Sequence, residues 1–139
     1  MISLTYLSTA TTPFSPADLR ELLRASRERN HANELTGMLL HAGGHFIQTL
    51  EGAEDVVDAT FTRIERDHRH RNVYVALRDD VDTRTFPEWS MGFETLGPDE
   101  TALLPGFNDY LRGRPMSPED TQAFGRPGIF HRLFRDKMR

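Results

Sequence analysis

Gln48 is a polar side chain on a strand face that otherwise consists of apolar residues. Residues 46–52 read FIQTLEG, and the two-residue alternation of a β-strand places Phe46, Gln48 and Leu50 on one face. A buried amide without partners costs about 1–3 kcal/mol, so Gln48 needs hydrogen bonds inside the fold. Its amide carries a donor and an acceptor on one rotatable group, which allows it to exchange one bonding arrangement for another.

Three further polar residues, Tyr6, Ser26 and Asn30, lie on surfaces that the sequence pattern predicts to be buried. Residues 2–8 alternate like a strand, with Tyr6 on an apolar face. A helix predicted after Ser15 has an apolar stripe at helical spacing that turns polar at Ser26 and Asn30. The tyrosine adds a phenolic proton with a reference pKa of about 10. Hydrogen-bonding groups are thus predicted on the inner surfaces of two strands and a helix.

Hydrophobic periodicity and turn signals predict seven elements in the order β-α-β-β-α-β-β. This order matches the split βαβ arrangement with one added strand, which is a ferredoxin-like α+β fold. The first helix begins after Ser15 and runs through about Asn30, and the second begins at about Glu54 with apolar spacing that continues to His68. The predicted strands are residues 2–8, two hairpin strands within 36–52, residues 72–77 and residues 89–96.

Gly43 and Gly44 are predicted to close the hairpin with a type I′ turn, because glycine readily adopts the positive φ angles that this turn requires. This register places Leu39 opposite Gln48. Both faces of the hairpin are apolar, so both need cover. We expect C-terminal helices within residues 97–139 to cover the face that the two main helices leave open.

Length and composition fit a single domain. The chain has 139 residues, of which 37% are hydrophobic and 27% charged, and it contains no cysteine. Disulfides, thiolate nucleophiles, cysteine-based zinc sites and cysteinyl–flavin photochemistry are therefore excluded. A cytoplasmic location is expected, because the sequence shows no signal peptide and no apolar run of membrane-spanning length. The net charge of −4 does not indicate a nucleic-acid partner.

Six short motifs follow one another along residues 6–91. They are Tyr6-x-Ser8, Ser26-x-x-x-Asn30, Leu35-Thr36-Gly37-x-Leu39, Gly44-x-Phe46-x-Gln48-x-Leu50-Glu51-Gly52, Asp67-x-x-His70 and Arg84-x-Phe86-x-x-Trp89-x-Met91. Together they resemble the BLUF family, the sensors of blue light using flavin adenine dinucleotide (FAD), in its short single-domain form. The resemblance implies a photosensor domain over residues 1–96 that holds FAD non-covalently between its two helices, above the sheet, and that is not an enzyme.

The resemblance also implies roles for single residues. Asn30 would bond the polar edge of the flavin ring, and Gln48 would lie near flavin N5 and O4 with Tyr6 bonded to it. Light would drive electron and proton transfer between Tyr6, Gln48 and the flavin, and the hydrogen bonds around the ring would rearrange. The photoactive residues would be Tyr6, Gln48, Trp89 and Met91. The cofactor-binding residues would be Ser26, Asn30, Leu39, Gln48, Arg63 and Asp67 (near the C2 carbonyl end), and Arg69 and His70 (near the ribityl and phosphate side).

Two other functions stay open at this point. The chain could be a flavin-free ferredoxin-like module that binds other proteins. It could also be a small phosphate-ester hydrolase of the same fold class, although neither a GxGxxG motif nor a P-loop is present. His68 and His70 have no clear third ligand, so a metal is not expected.

The expected output follows from the length of the chain after the sensor core. About 43 residues follow residue 96, too few for a cyclase or phosphodiesterase domain. Signalling is therefore expected through a separate partner protein or through a change of oligomeric state. Residues 126–139 are basic and aromatic, so they are a candidate contact for an acidic partner, or else a packed terminal helix.

Overall fold

In the part of the chain that the structure describes, seven elements follow one another in the predicted order, β-α-β-β-α-β-β. The computed structural model describes residues 1–87 and 90–95. The last two strands of this order, His70–Asp80 and Gly92–Thr95, differ most from expectation, since the former is longer and the latter shorter than predicted. The elements are β1 (Ile2–Ala10), α1 (Pro16–Ala32), β2 (Thr36–Ala42), β3 (His45–Gly52), α2 (Glu54–Glu65), β4 (His70–Asp80) and β5 (Gly92–Thr95).

The strands form one sheet in the order β4-β1-β3-β2-β5. β1 pairs antiparallel with β3 and β4, β2 pairs antiparallel with β3, and β5 adds to β2 in parallel. This is the predicted ferredoxin-like α+β fold with one added strand. The register puts Tyr6 and Leu39 on either side of Gln48, so these three residues share one face of the sheet.

The turn between β2 and β3 confirms the predicted register. Gly43 and Gly44 have φ angles of 56° and 84°, the positive values that a two-residue hairpin turn requires. Leu39 consequently pairs with Gln48, as the sequence predicts. The hairpin therefore fixes one neighbour of the glutamine by local geometry alone.

A capping box fixes the start of α1. The Ser15 hydroxyl accepts a hydrogen bond from the backbone N–H of Asp18 at 3.0 Å, and the Asp18 carboxylate accepts one from the N–H of Ser15 at 3.0 Å. The helix ends at Ala32, slightly later than predicted, so Asn30 lies in its last turn. Asn30 faces inward there with 3% of its surface exposed.

The prediction that the second helix continues to His68 is wrong. α2 ends at Glu65, and Asp67 and His68 follow it in a turn. The N–H of Asp67 donates to the Ile64 carbonyl, and the Asp67 carboxylate accepts the backbone N–H of Arg69 at 2.9 Å. An aspartate that bonds the backbone two residues later stabilises a turn in place of a further helical turn.

Both faces of the sheet are buried at its central strands β1 and β3. One face packs against α1 and α2 around Tyr6, Phe46 and Leu50. On the other face Met38 and Ile47 have at most 1% of their surface exposed. The C-terminal helices predicted to cover that face, in residues 97–139, lie outside the described residues. Within the described ranges, neither helix combines the length and the apolar character needed to cross a membrane.

Candidate functional site

A cleft opens between α1, α2 and the sheet face that carries Tyr6 and Gln48. Its empty volume, counted out into the solvent at its mouth, is about 620 Å³. Its lining includes every residue that the sequence analysis assigned to cofactor binding; their roles toward a cofactor stay predictions. The lining residues are Tyr6, Leu22, Ser26, Arg29, Asn30, Leu39, Gln48, Leu50, Thr60, Arg63, Ile64, Asp67, Arg69 and His70.

Tyr6 and Gln48 form a buried hydrogen-bonded pair on the floor of the cleft. The Tyr6 hydroxyl donates to Oε1 of Gln48, and the two residues are 1% and 5% exposed. Burial raises the pKa of Tyr6 well above its ordinary value, and the negative charge of Asp67 adds to this shift. The phenol therefore keeps its proton at physiological pH and holds it toward the glutamine oxygen.

Gln48 makes a weaker bond on its other side. Its Nε2 donates to Sδ of Met91 at 3.5 Å, and Met91 is 1% exposed. A thioether sulfur is a weak acceptor, so this bond is easily replaced by a stronger one. Met91 therefore lies next to the glutamine, where the resemblance implied it, whereas Trp89 lies outside the described residues.

α1 holds the backbone just before β5 through two side chains. Nδ2 of Asn30 donates to the carbonyl of Ser90 at 2.8 Å, and Nε of Arg27 donates to the carbonyl of Met91 at 2.9 Å. Ser90 thus contributes its backbone oxygen, a contact that its side-chain type could not reveal. Asn30 lines the cleft and at the same time ties the helix to the segment that carries Met91.

Positive charge is concentrated at the rim of the cleft. Arg29, Arg63 and Arg69 all line it. Burial lowers the pKa of Arg29, and the like charges of Arg63 and Arg69 lower it further. Asp67 offsets part of this charge through an ion pair of 2.6 Å with Arg69, which contributes to lowering the pKa of Asp67 to about 2. Such a rim suits an anionic or carbonyl-rich ligand.

Arg29 and Thr60 are cleft residues to which the sequence analysis gave no role. Arg29 follows Ser26 by three positions and therefore lies one helical turn further along the same face. Thr60 precedes Arg63 by three positions on α2, in the same relation. Helical spacing from the assigned residues was the signal that could have found both.

His70 lies at the start of β4 beside the cleft. Its Nδ1 is 3.0 Å from the Ser8 hydroxyl, and its ring packs edge-on against Phe46 with the ring centroids 5.3 Å apart. Burial lowers the pKa of His70, with Asp67 opposing and Arg69 adding to the shift. The imidazole is therefore neutral at pH 7 and forms part of the packing around the strand ends.

We expect the unfolding free energy of the ligand-free chain to decrease as the pH falls from 7 to 5. The pKa of His70 is lower in the folded chain than in the unfolded chain, so below about pH 6.5 the unfolded chain takes up the proton first. The contribution of His70 to the unfolding free energy is therefore fully present above about pH 6.5 and is lost as the pH falls below that value. The Asp67 contribution disappears only lower, as the pH falls from about 4 toward its folded pKa of about 2.

Urea unfolding of the wild-type chain and of His70→Gln at pH 7.5 and pH 5.5 measures this contribution. His41 and His45 also have pKa values lowered first by burial, so the variant should lose only part of the pH dependence. An unchanged difference between the two pH values in His70→Gln would contradict the assignment to this residue.

A family model and a curated protein each match most of the chain. The model of the BLUF family, described as sensors of blue-light using FAD, matches residues 1–92. The chain is 38% identical over 112 residues to photoactivated adenylate cyclase subunit beta of Euglena gracilis, a match that covers 80% of this chain and 13% of that protein. It thus spans only a small part of the curated relative.

Two solved structures resemble the chain over most of its length. The dark-state structure of BlrB, a BLUF protein, gives a TM-score of 0.71 at 34% identity and covers 92% of this chain and 94% of that chain. The photo-activated state of BlsA gives a TM-score of 0.74 at 28% identity and covers 88% of this chain and 90% of that chain.

Proposed function

The chain belongs to the BLUF family of sensors of blue light using FAD, and on that premise we propose that light rearranges the hydrogen bonds of Tyr6 and Gln48. The observation that carries the proposal is the buried bond from the Tyr6 hydroxyl to Gln48 Oε1 on the floor of the cleft. The pair combines a phenolic proton with an amide that can rotate. The resulting change would pass to a partner protein or to the oligomeric state of the chain.

The residues of the cleft fit a flavin. Leu22 and Ile64 give it apolar side walls from the two helices, and Leu39 lies in its lining beside Gln48. Asn30 and Gln48 contribute amides to its lining, and these would hold the polar edge of the ring. Arg63 and Asp67 would hold the C2 carbonyl end, and Arg69 and His70 the ribityl and phosphate side. Ser26 would complete the wall on α1.

Tyr6 and Gln48 supply the proton chemistry of the proposed switch. When bound, the flavin supplies absorption of blue light and an excited state that oxidises tyrosine reversibly. A tyrosine that has lost an electron releases its phenolic proton readily, and Gln48 Oε1 is the acceptor already bonded to it. The O–H bond of Tyr6 breaks and one forms at Gln48; both electron and proton then return to Tyr6. The amide is left rotated, with no net change in atoms or electrons.

The size of this rearrangement limits what light can do. One or two exchanged hydrogen bonds are worth on the order of 1–3 kcal/mol. Such a difference shifts a two-state equilibrium by roughly 5- to 150-fold. The proposed output is therefore a biased interface or strand position and not a refolding of the domain.

The absorption spectrum of the purified full chain tests the function. We expect a yellow protein that contains FAD, shows a small red shift under blue light and recovers in the dark. A colourless protein that could not be reconstituted with FAD would contradict the proposal and favour the flavin-free interaction module. Size-exclusion chromatography in light and dark would then separate signalling through self-association from signalling to another protein.

A further inference from the structure

Glu51 is a fully buried carboxylate that lies on β3 but bonds the connection between β4 and β5. It has 0% of its surface exposed and points away from the cleft, since it is three residues from Gln48 on the alternating strand. Its oxygens accept the backbone N–H groups of Thr85 at 2.6 Å and Phe86 at 2.8 Å, and the Thr36 hydroxyl at 3.1 Å. These bonds compensate the burial of the charge.

Arg84, a residue of the same connection, bonds it to neighbouring parts of the chain. Its guanidinium donates to the Glu34 carbonyl at 2.7 Å, the Thr36 hydroxyl at 2.8 Å and the Glu51 carbonyl at 3.0 Å. We use the name latch for the Glu51 and Arg84 side chains together with the backbone of residues 84–86. The latch ties this backbone to the ends of β3 and of the α1–β2 turn.

Strand β3 therefore hydrogen-bonds the β4–β5 connection at two places, through side chains that lie on opposite faces of the sheet. Glu51 holds it at Thr85 and Phe86, while Gln48 holds it at Met91 through the weak bond to Sδ. The bonds of Glu51 are strong because they are charge-assisted, whereas the bond of Gln48 to Met91 is one that the proposed switch would break. A change at Gln48 thus acts on a segment whose other end is fixed.

We propose that Glu51 and Arg84 are positioning residues for the light signal. A change in the hydrogen bonds of Gln48 would displace the backbone at Met91. Because the latch fixes residues 84–86, this displacement cannot be taken up by movement of the β4–β5 connection and passes into β5 instead. β5 is held to β2 by parallel pairing that begins at Met38 and Gly92, immediately after Met91. This inference rests on the proposed photochemistry of Tyr6 and Gln48.

The test uses the full-length, FAD-loaded protein and the variants Glu51→Gln and Arg84→Gln. The control for Glu51→Gln is Glu54→Gln, the same substitution at a glutamate with 64% side-chain exposure. Because the latch residues lie outside the cleft lining, we expect FAD content and the red shift to stay as in wild type. Dark recovery should slow by about threefold to tenfold, since Met91 is no longer held for its bond to Gln48 to re-form. The light-minus-dark difference in hydrogen exchange of residues 92–95 should be lost.

The outcomes distinguish a failure of the latch proposal from a failure of the proposed function. A normal red shift with the β5 exchange difference intact in both latch variants would overturn the latch. A wild-type protein without a red shift would overturn the proposed function instead. If Glu51→Gln fails to fold, Arg84→Gln decides, because it keeps the buried carboxylate and its bonds to Thr85 and Phe86. Loss of the exchange difference also in Glu54→Gln would overturn the assignment to the latch.

Discussion

The Tyr6→Phe variant is expected to bind FAD and remain yellow, yet to show no red shift under blue light. The substitution removes the phenolic proton and its bond to Gln48 Oε1. It keeps the ring, which is 1% exposed and packs against Phe61 with centroids 5.3 Å apart. The cost to stability should therefore be limited to about 1–3 kcal/mol for the unpaired glutamine oxygen.

Absorption spectra before and after blue light measure this effect. Tyr74→Phe is the matched control, because Tyr74 pairs with Leu7 in the register and does not line the cleft. It should cycle as wild type does. A normal red shift in Tyr6→Phe would show that the proton of Tyr6 is not needed, and the mechanism would be wrong.

Gln48→Leu is expected to abolish the red shift as well and to destabilise the protein more than Tyr6→Phe does. Leucine has a similar size but offers neither the acceptor for Tyr6 nor the donor for Met91. The Tyr6 hydroxyl would then be buried without a partner, at a cost of about 1–3 kcal/mol. Its donor has no water to turn to, since Tyr6 is 1% exposed.

A double-mutant cycle isolates the bond between the two residues. Adding Tyr6→Phe to Gln48→Leu removes the orphaned hydroxyl, so the double variant should be more stable than Gln48→Leu alone. Urea unfolding of the four proteins measures the coupling. Thr49→Val serves as control for the strand, because it breaks a buried bond of 2.8 Å to Thr5 on the other face of the sheet and should keep the red shift. Strictly additive effects of the two substitutions would contradict a direct bond.

The parts of the site that depend on local geometry could be predicted from the sequence. The glycine pair fixes the hairpin turn, and the turn fixes Leu39 opposite Gln48. The pairing of Tyr6 with Gln48 joins strands 42 residues apart, and only the family resemblance suggested it. Local patterns carry no information on which distant strands become neighbours.

The features that were missed depend on backbone groups and on tertiary contacts. Helical spacing continued to His68, but the Asp67 carboxylate bonds the backbone of Arg69 and forms a turn after α2. Ser90 acts through its carbonyl, which every residue type has. The sequence analysis assigned no role to the Glu51 side chain, and its burial follows from bonds to residues more than 30 positions away. The roles implied for Trp89 stay predictions.

The sheet order determines which strand opens most easily by local unfolding. Tyr6 lies on β1, which has hydrogen-bonded neighbours on both sides, so its backbone opens only when much of the sheet opens. β5 comprises four residues, pairs with β2 alone and ends the sheet in the described part of the chain. Local opening free energies should therefore be highest where the light-driven chemistry is proposed and lowest at the strand that follows Met91. The strand that carries Tyr6 can therefore stay rigid, while a small change in free energy is enough to displace or open β5 at the edge of the sheet.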